Sequence, residues 1–125
     1  MGILSGLMGN ASEIDIEKIE NEFQPILADI ERVEKAYKLV RDLFVFTNKR
    51  LILVDKQGMT GKKTEYHSIP YKSITHFSVE SAGHFDLDSE LKIWISGTSM
   101  PVDKQFKNDK SIYDIQKTLA DYIFK

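Results

Sequence analysis

The amino-acid sequence predicts a mainly β domain of the α+β class, in which seven short antiparallel strands lie between helical segments at the two ends of the chain. Apolar residues recur at helical spacing near both termini, whereas the middle of the chain follows the period of two that strands require. Turn-forming residues divide this middle part, and such short connections favour antiparallel neighbours. Seven strands followed by one amphipathic helix indicate a bent, partly open barrel whose open end the helix closes.

The length and composition are those of one folded domain. The 125 residues are 42% hydrophobic and 29% charged, which suits a single core and argues against wholesale disorder. No internal repeat or low-complexity linker divides the chain. We therefore expect one domain over residues 1–125, with a helical extension at 1–30 and the barrel with its closing helix at 31–125.

An N-terminal helix is expected to begin near residue 13, where Ser12 and Asp15 form a capping pattern. Pro25 removes a backbone donor and clashes with the preceding turn, so we expect a kink or a restart there. The apolar positions of this segment recur at helical spacing and comprise Ile16, Ile19, Phe23, Ile26, Leu27 and Ile30.

Seven strands are predicted from Glu31 onward, where β-branched and aromatic residues occur in short runs. Their predicted bounds are Val33–Val40, Leu43–Thr47, Arg50–Lys56, Thr64–Ile69, Ile74–Glu80, Glu90–Ser96 and Met100–Phe106. Asn108 and Asp109 then provide capping side chains for a final helix. Its apolar stripe consists of Ile112, Ile115, Leu119, Tyr122 and Ile123.

The charge balance and the N-terminus exclude several function classes. Seventeen Lys and Arg against nineteen Asp and Glu give a net charge of −2, without the concentrated basic surface that nucleic acids select. The first residues lack the basic start of a secretion signal, and no apolar run approaches the ~20 residues of a membrane span. The chain has no cysteine, which suits a reducing compartment, so we expect a cytoplasmic protein.

No catalytic or metal site can be assembled from the residue types that carry such chemistry. The candidates are His67, His76 and His84 with Asp86, Asp88 and Glu90. The first two histidines fall on different predicted strands, and the acidic run lacks the glycine and the distal glutamate of a calcium loop. No Ser or Thr stands in a nucleophile elbow. We therefore predict no enzymatic activity, no metal and no cofactor, and interpret the acidic run as a solvated hairpin.

The glycines and lysines at Gly58, Gly61, Lys62 and Lys63 have only a superficial likeness to a phosphate-binding loop. A Walker A loop needs four residues between its glycines and a Ser or Thr directly after its Lys, and neither condition is met. We interpret the segment as a hairpin tip with solvated lysines. Lys62 and Lys63 remain candidates for a weak contact with an anionic lipid or an acidic partner.

Two apolar features exceed what a half-exposed sheet needs. Leu43–Phe46 and Leu51–Val54 are apolar throughout, so both faces of that hairpin are expected to be covered. In a later strand, Leu91, Ile93 and Ile95 point inward together, which leaves Trp94 pointing outward. Either the N-terminal helices pack over these positions within one chain, or a subunit interface covers them.

Long stretches of the sequence resemble the bacterial pleckstrin-homology (PH)-like domain family. The stretches are LVRDLFVFTNKRLILVDKQGMTGKK, EYHSIPYKSITHFSVE and AGHFDLDSELKIWISG, and together with the order of elements they extend the resemblance over nearly the whole chain. The resemblance implies a PH-like barrel of seven strands with a C-terminal capping helix, and a tendency to form ring-like homo-oligomers. It does not supply a function, because one fold hosts many functions.

The sequence departs from the basic pattern of PH domains that bind phosphoinositides. That pattern is Lys, then Lys or Arg, one residue, then Arg, around the first hairpin. Lys35, Lys38 and Arg41 lie near the right place, but their spacing does not put them on one strand face, and Asp42 follows immediately. We therefore do not expect inositide binding.

The sequence as a whole indicates a non-enzymatic interaction module that assembles into a ring-like homo-oligomer and binds a further protein partner. The candidates for contacts between subunits are Ile3, Leu4, Leu7, Met8, Phe44 and Trp94. The alternative is a peripheral membrane or anionic-lipid-binding module, in which the apolar N-terminal residues enter the headgroup region beside Lys62 and Lys63. We favour assembly and expect weak membrane contact, because the N-terminal segment contains no Lys or Arg of its own.

Overall fold

The computed structural model describes residues 16–39, 42–57, 63–83, 86–107 and 110–124, with the backbone alone for residues 82, 83, 86 and 87. The chain divides into two compact units, Met1–Ile69 and Pro70–Lys125. The organisation as one domain with an extension at residues 1–30 stays a prediction.

The first unit consists of helix α1 (Ile16–Phe23) and a four-stranded sheet. Its strands are β1 (Val33–Lys38), β2 (Asp42–Thr47), β3 (Arg50–Gln57) and β4 (Lys63–Pro70), in the order β1-β2-β3-β4. The pairs β1–β2 and β2–β3 are antiparallel, and the register sets Val45 opposite Ile52 and Phe44 opposite Leu53. The four strands predicted for this part of the chain are present, each within two residues of its predicted bounds.

The β2–β3 hairpin is buried on both faces, as its unbroken apolar sequence predicts. Phe44 and Val45 point to opposite faces of the sheet, and both side chains are fully buried. On the Val45 face, Ile19 and Phe23 of α1 belong to the same core cluster as the strands. The other members are Val33, Ala36, Ile52 and Val54, with Ile16, Leu27 and Leu43 partly buried against them. A helix therefore covers this face of the hairpin within one chain.

Helix α1 ends at Phe23, two residues before Pro25, and the chain continues in turns and irregular structure up to β1. The expected kink or restart is a complete stop, because proline lacks an N–H group and disfavours helical backbone in the residue before it. The N–H groups of Ile26 and Leu27 both donate to the Phe23 carbonyl and turn the chain. The expectation that Ile30 belongs to the helical apolar stripe is wrong, since its side chain is 71% exposed.

Glu31 fastens this turning segment to the β2–β3 hairpin. Its side chain is almost completely buried and accepts hydrogen bonds from Arg50 Nε (2.9 Å) and Nη2 (2.9 Å), the Thr47 hydroxyl (2.6 Å) and the Ala28 N–H group (3.0 Å). Arg50 also donates to the Ile26 carbonyl at 2.7 Å. The network thus joins the segment after α1 to both strands of the hairpin.

This network stabilises the ionised form of Glu31. Burial raises the pKa of this carboxyl group, but the hydrogen bonds from Arg50, Ala28 and Thr47 outweigh burial and lower the pKa from 4.5 to about 2. A carboxyl group whose pKa is lower in the folded state stabilises the fold above its unfolded pKa. The stabilisation by Glu31 is therefore present above pH 4.5 and is lost as the pH falls toward 2.

The second unit consists of a 3₁₀ turn (Tyr71–Ser73), a three-stranded antiparallel sheet and helix α2 (Ser111–Ile123). The strands are β5 (Ile74–Gly83), β6 (Asp86–Ile95) and β7 (Val102–Phe106), in the order β5-β6-β7. The three predicted strands are present, although β6 begins four residues earlier and β7 two residues later than predicted. Tyr122 of α2 stacks on Tyr71 with ring centroids 4.6 Å apart.

Helix α2 is amphipathic, as predicted. Three residues of its predicted stripe are fully buried, namely Ile112, Ile115 and Leu119. The predicted capping residues Asn108 and Asp109 lie outside the described residues. The N-cap position is occupied by Lys110, whose side chain makes no capping hydrogen bond.

Replacing Glu31 with Gln should lower the free energy of unfolding at pH 7 by ~2 to 3 kcal/mol, because the Arg50 guanidinium loses its carboxylate partner. Loss of a partner in a fully buried pair costs about 3 to 5 kcal/mol, but the Arg50 side chain is 25% exposed. Urea unfolding of both proteins at pH 7 and pH 3 measures the effect. The difference between wild type and variant should shrink at pH 3, where wild-type Glu31 contributes less.

Glu22→Gln is the matched control for this measurement. Glu22 is exposed on α1, so its replacement should change the free energy of unfolding by less than about 0.5 kcal/mol. Equal destabilisation by the two variants, or a difference for Glu31→Gln that does not depend on pH, would contradict the role given to Glu31.

Candidate interaction surface

One face of the β5–β7 sheet combines a large aromatic side chain with polar groups. Along β6, Leu91 and Ile93 are fully buried, whereas Lys92 and Trp94 alternate with them, point to the opposite face and are half-buried. The structure thus places Trp94 on the face that the sequence predicts. We refer to this surface as the Trp94 face. Its members are His76, Ser78 and Glu80 of β5, Glu90, Lys92 and Trp94 of β6, and Asp103 and Gln105 of β7.

His76 holds the ring of Trp94 across the β5–β6 pair. The two rings stack with centroids 4.5 Å apart and planes 15° from parallel. At the register shift of β5, the Thr75 hydroxyl donates to the Trp94 carbonyl at 3.2 Å and lies 3.0 Å from His76 Nδ1. The Thr75 hydroxyl thus links the two stacked residues from the side of β5.

The other end of the Trp94 face carries an excess of negative charge. Oε2 of Glu90 accepts a hydrogen bond from Gln105 Nε2 at 3.2 Å, and Oε1 lies 4.0 Å from Lys92 Nζ. The pKa of Glu90 is raised first by a hydrogen bond with Asp103, then by burial and by the charges of Asp103 and Glu80. The ammonium group of Lys92 opposes this shift without cancelling it.

A shallow depression of about 470 Å³ adjoins this acidic end. Its lining includes Glu80, Asp88, Glu90 and Lys107. Pockets for small molecules are mostly apolar and enclose their ligand, whereas this depression is polar and open. It therefore suits a charged side chain of a protein better than a small apolar ligand.

The remaining site candidates from the sequence have different outcomes. Phe44 is fully buried within one chain because both faces of its hairpin are covered, so it offers no surface to a second subunit and is not a contact candidate. Lys63 begins β4 and is exposed. Five further candidates lie outside the described residues, namely Ile3, Leu4, Leu7, Met8 and Lys62.

The described part of the chain contains no group of three or more His, Asp or Glu side chains placed to hold a metal ion. Of the histidines considered for such a site, His67 lies on β4 and His76 on β5, where it stacks on Trp94. His84 and the side chain of Asp86 lie outside the described residues.

The stacking role of His76 is a feature that the sequence analysis missed. The sequence placed this residue in a weak metal-ligand pattern, whereas the structure pairs it with Trp94. The sequence does contain a signal for this pairing. His76 and Trp94 are equally distant from position 85, so a hairpin centred there sets them opposite each other, and each follows the alternation of its strand. The register of a hairpin fixes such pairs, and it cannot be chosen from strand bounds that are uncertain by one residue.

The sequence matches the family model of the bacterial PH domain over residues 2–123. The chain belongs to the bacterial PH domain family. Two relatives of this bacterial PH domain come from Bacillus subtilis (strain 168). Uncharacterized protein YjqA is 68% identical over 121 residues, which are 96% of this chain and 97% of the relative. Uncharacterized protein YozO is 31% identical over 118 residues, which are 94% of this chain and 97% of the relative.

Two crystal structures resemble this bacterial PH domain in sequence and in fold. The pleckstrin homology domain from Shewanella amazonensis SB2B has 61% sequence identity and a TM-score of 0.86, covering 98% of each chain. A DUF1696 family protein with a pleckstrin-homology domain from Shewanella loihica PV-4 has 54% identity and a TM-score of 0.77, covering 90% of this chain and 96% of that chain. The predicted PH-like fold is therefore confirmed.

Replacing His76 with Ala should loosen Trp94, because one face of the indole ring loses its stacking partner. A stacked aromatic pair contributes about 0.5 to 1.5 kcal/mol beyond the burial of area, so a destabilisation of that order is expected. Trp94 is the single tryptophan of the chain, and its fluorescence emission should shift to longer wavelength as the ring becomes more hydrated. Ser78→Ala on the same face is the control and should leave the emission unchanged. An unshifted spectrum for His76→Ala would show that the stack does not position Trp94.

Proposed function

We propose that this bacterial PH domain is a non-enzymatic, cytoplasmic interaction module that assembles into a ring-like homo-oligomer and binds a further protein partner. The observation that carries the proposal is the half-buried Trp94, stacked on His76 on an otherwise polar sheet face. The solvated face of an antiparallel sheet ordinarily carries polar residues. A pair of stacked rings on such a face is best explained as a contact surface.

The stacked pair has the properties of an interface anchor. A tryptophan side chain buries ~150 to 250 Å² when covered, and tryptophan is enriched among the residues that dominate binding energy. The His76 ring already restricts the orientation of Trp94, so little side-chain freedom is lost when a partner covers it. Glu90 and Lys92 next to it supply the polar rim that protein interfaces have.

The charge distribution on the Trp94 face favours a ring over a symmetrical dimer. The acidic end of the face repels the same end of a second copy, so a contact with a different patch is favoured. Contacts between two different patches of identical subunits close into a ring when the rotation between subunits permits. The ring-like assembly implied by the family resemblance agrees with this reasoning.

Replacing Trp94 with Ala should weaken assembly by about 2 kcal/mol or more, because the anchor of the contact is removed. Size-exclusion chromatography with light scattering, over a range of micromolar concentrations, measures the mass of wild type and variant. Circular dichroism of the variant should still report a folded domain.

Tyr113→Ala is the matched control, since Tyr113 is an aromatic residue that is 58% exposed on α2. It should leave the assembled mass unchanged. A wild-type mass equal to one chain throughout the micromolar range contradicts the proposal. Unfolding of the Trp94→Ala variant would instead place Trp94 in the core of its own chain.

Binding to anionic vesicles should be weak and should disappear at physiological salt, where charges are screened over ~8 Å. Lys63 is exposed at the start of β4 and supports a contact with an anionic surface. None of the described helices has the length and apolar character to cross a membrane. Co-sedimentation with vesicles that contain anionic lipid, at low and at physiological salt, measures the binding. Robust co-sedimentation at physiological salt would favour the membrane module over the assembly.

A further inference from the structure

The Trp94 face and the adjoining depression carry more carboxylates than ammonium groups. Within the described residues, the charged side chains there are Glu80, Asp88, Glu90 and Asp103 against Lys92 and Lys107. Glu90 and Asp103 lie on neighbouring strands of this face, and the Asp103 carboxyl group raises the pKa of Glu90. A cation brought from outside the face would relieve the repulsion between them.

A second surface of the same chain has the complementary charge. Lys38 ends β1, Lys56 lies at the end of β3 and Lys63 begins β4. These positions share one end of the β1–β4 sheet, because the antiparallel pairing sets the ends of β1 and β3 beside the start of β2, and β4 begins shortly after β3. The three lysines are exposed, whereas Asp42 and Asp55 at the same end face each other and are half-buried. We refer to Lys38, Lys56 and Lys63 as the lysine end.

We infer that the partner of the Trp94 face is the lysine end of a second copy of this chain, an inference that rests on the self-assembly proposed above. The lysines approach the Glu80, Glu90 and Asp103 carboxylates, and the Trp94–His76 stack supplies the apolar part of the contact. Lys63, which the sequence marks as a candidate for contact with an acidic partner, then contacts the acidic end of a second copy of the chain.

Charge complementarity favours this occupant over an unrelated anionic surface. Both patches belong to one chain, so every copy carries one acidic surface and one basic surface. Complementary potentials accelerate encounter and discriminate against wrong pairings, for example against two acidic ends meeting each other. Because the two patches differ, the contact is head to tail, which is the type that generates rings.

Reversal of charge on either patch should weaken assembly, and reversal on both should restore it. The first variant is Lys56→Glu with Lys63→Glu, and the second is Glu80→Lys with Asp103→Lys. Each should raise the protein concentration at half-assembly about 10-fold or more, since like charges then face each other. The variant with all four changes should return to within a few-fold of wild type. Light scattering measures the mass, and circular dichroism confirms that each variant is folded.

The control reverses two exposed charges outside both patches, Glu22→Lys on α1 and Lys117→Glu on α2, and should leave the mass unchanged. Wild-type assembly should also weaken as NaCl rises from about 0.15 to about 0.5 M, because the contact is electrostatic. This measurement tests the inference even when a variant fails to fold.

The outcomes separate this inference from the proposal on which it rests. If wild type assembles and Trp94→Ala dissociates it, but charge reversal neither weakens nor restores assembly, the lysine end is not the partner and self-assembly through Trp94 stands. If wild-type assembly does not respond to salt, the lysine end is likewise not the partner, and self-assembly through Trp94 stands. A monomeric wild type overturns both.

Discussion

The β2–β3 hairpin is apolar on both faces, and the architecture of the first unit depends on covering both. Val45 and Phe44 point in opposite directions, yet each is fully buried. On the Val45 face the cover is α1, which contributes Ile19 and Phe23 to the cluster. The helix ends directly after these residues, because Pro25 cannot continue it. The hydrophobic requirement of one hairpin therefore determines where the helix lies.

The buried ion pair between Glu31 and Arg50 provides hydrogen-bond partners for the backbone that connects α1 to the sheet. A chain that leaves a helix and returns to a sheet has backbone groups without regular partners. Glu31 accepts from the Ala28 N–H group, and Arg50 donates to the Ile26 carbonyl, so the ion pair satisfies backbone groups as well as its own charges. The pair is anchored on Thr47, at the end of β2, which fixes the return of the chain against the hairpin that α1 covers.

In the β5–β7 sheet, unlike the β2–β3 hairpin, only one face needs to be covered, and this difference points to function. Its alternation places Leu91 and Ile93 on a buried face and leaves a polar face that needs no cover. On that face, Trp94 departs from the expected composition, and the Glu90–Asp103 pair departs from a balanced charge pattern. The carboxylate pair does not stabilise the sheet, and the Trp94–His76 stack contributes only about 0.5 to 1.5 kcal/mol to it. Both become favourable when an aromatic anchor and a cationic surface meet a partner, which is the basis of the proposed assembly.

The sequence predicted the elements of this fold well and their side-chain partnerships poorly. The change of period after Glu31 located seven strands, and the apolar run through Phe44 correctly indicated burial on both faces. The Glu31–Arg50 pair was not predicted, because it joins residues far apart in the chain through a turn whose path depends on where the helix stops. The His76–Trp94 stack was missed because the pairing of β5 with β6 shifts between Ser81 and Gly83, and a shift of one residue moves every side chain to the other face. Period and composition identify elements, whereas long-range register and side-chain geometry identify sites.

Acrylamide quenching of Trp94 fluorescence, measured against protein concentration, tests most directly whether this residue lies between copies of the chain. Trp94 is the single tryptophan, so the signal reports on this face alone. If a second copy covers the indole ring, the quenching constant should fall as the concentration rises through the range in which light scattering shows the mass increasing. A quenching constant that stays the same while the mass increases would show that the copies meet elsewhere and would contradict the assignment of the Trp94 face.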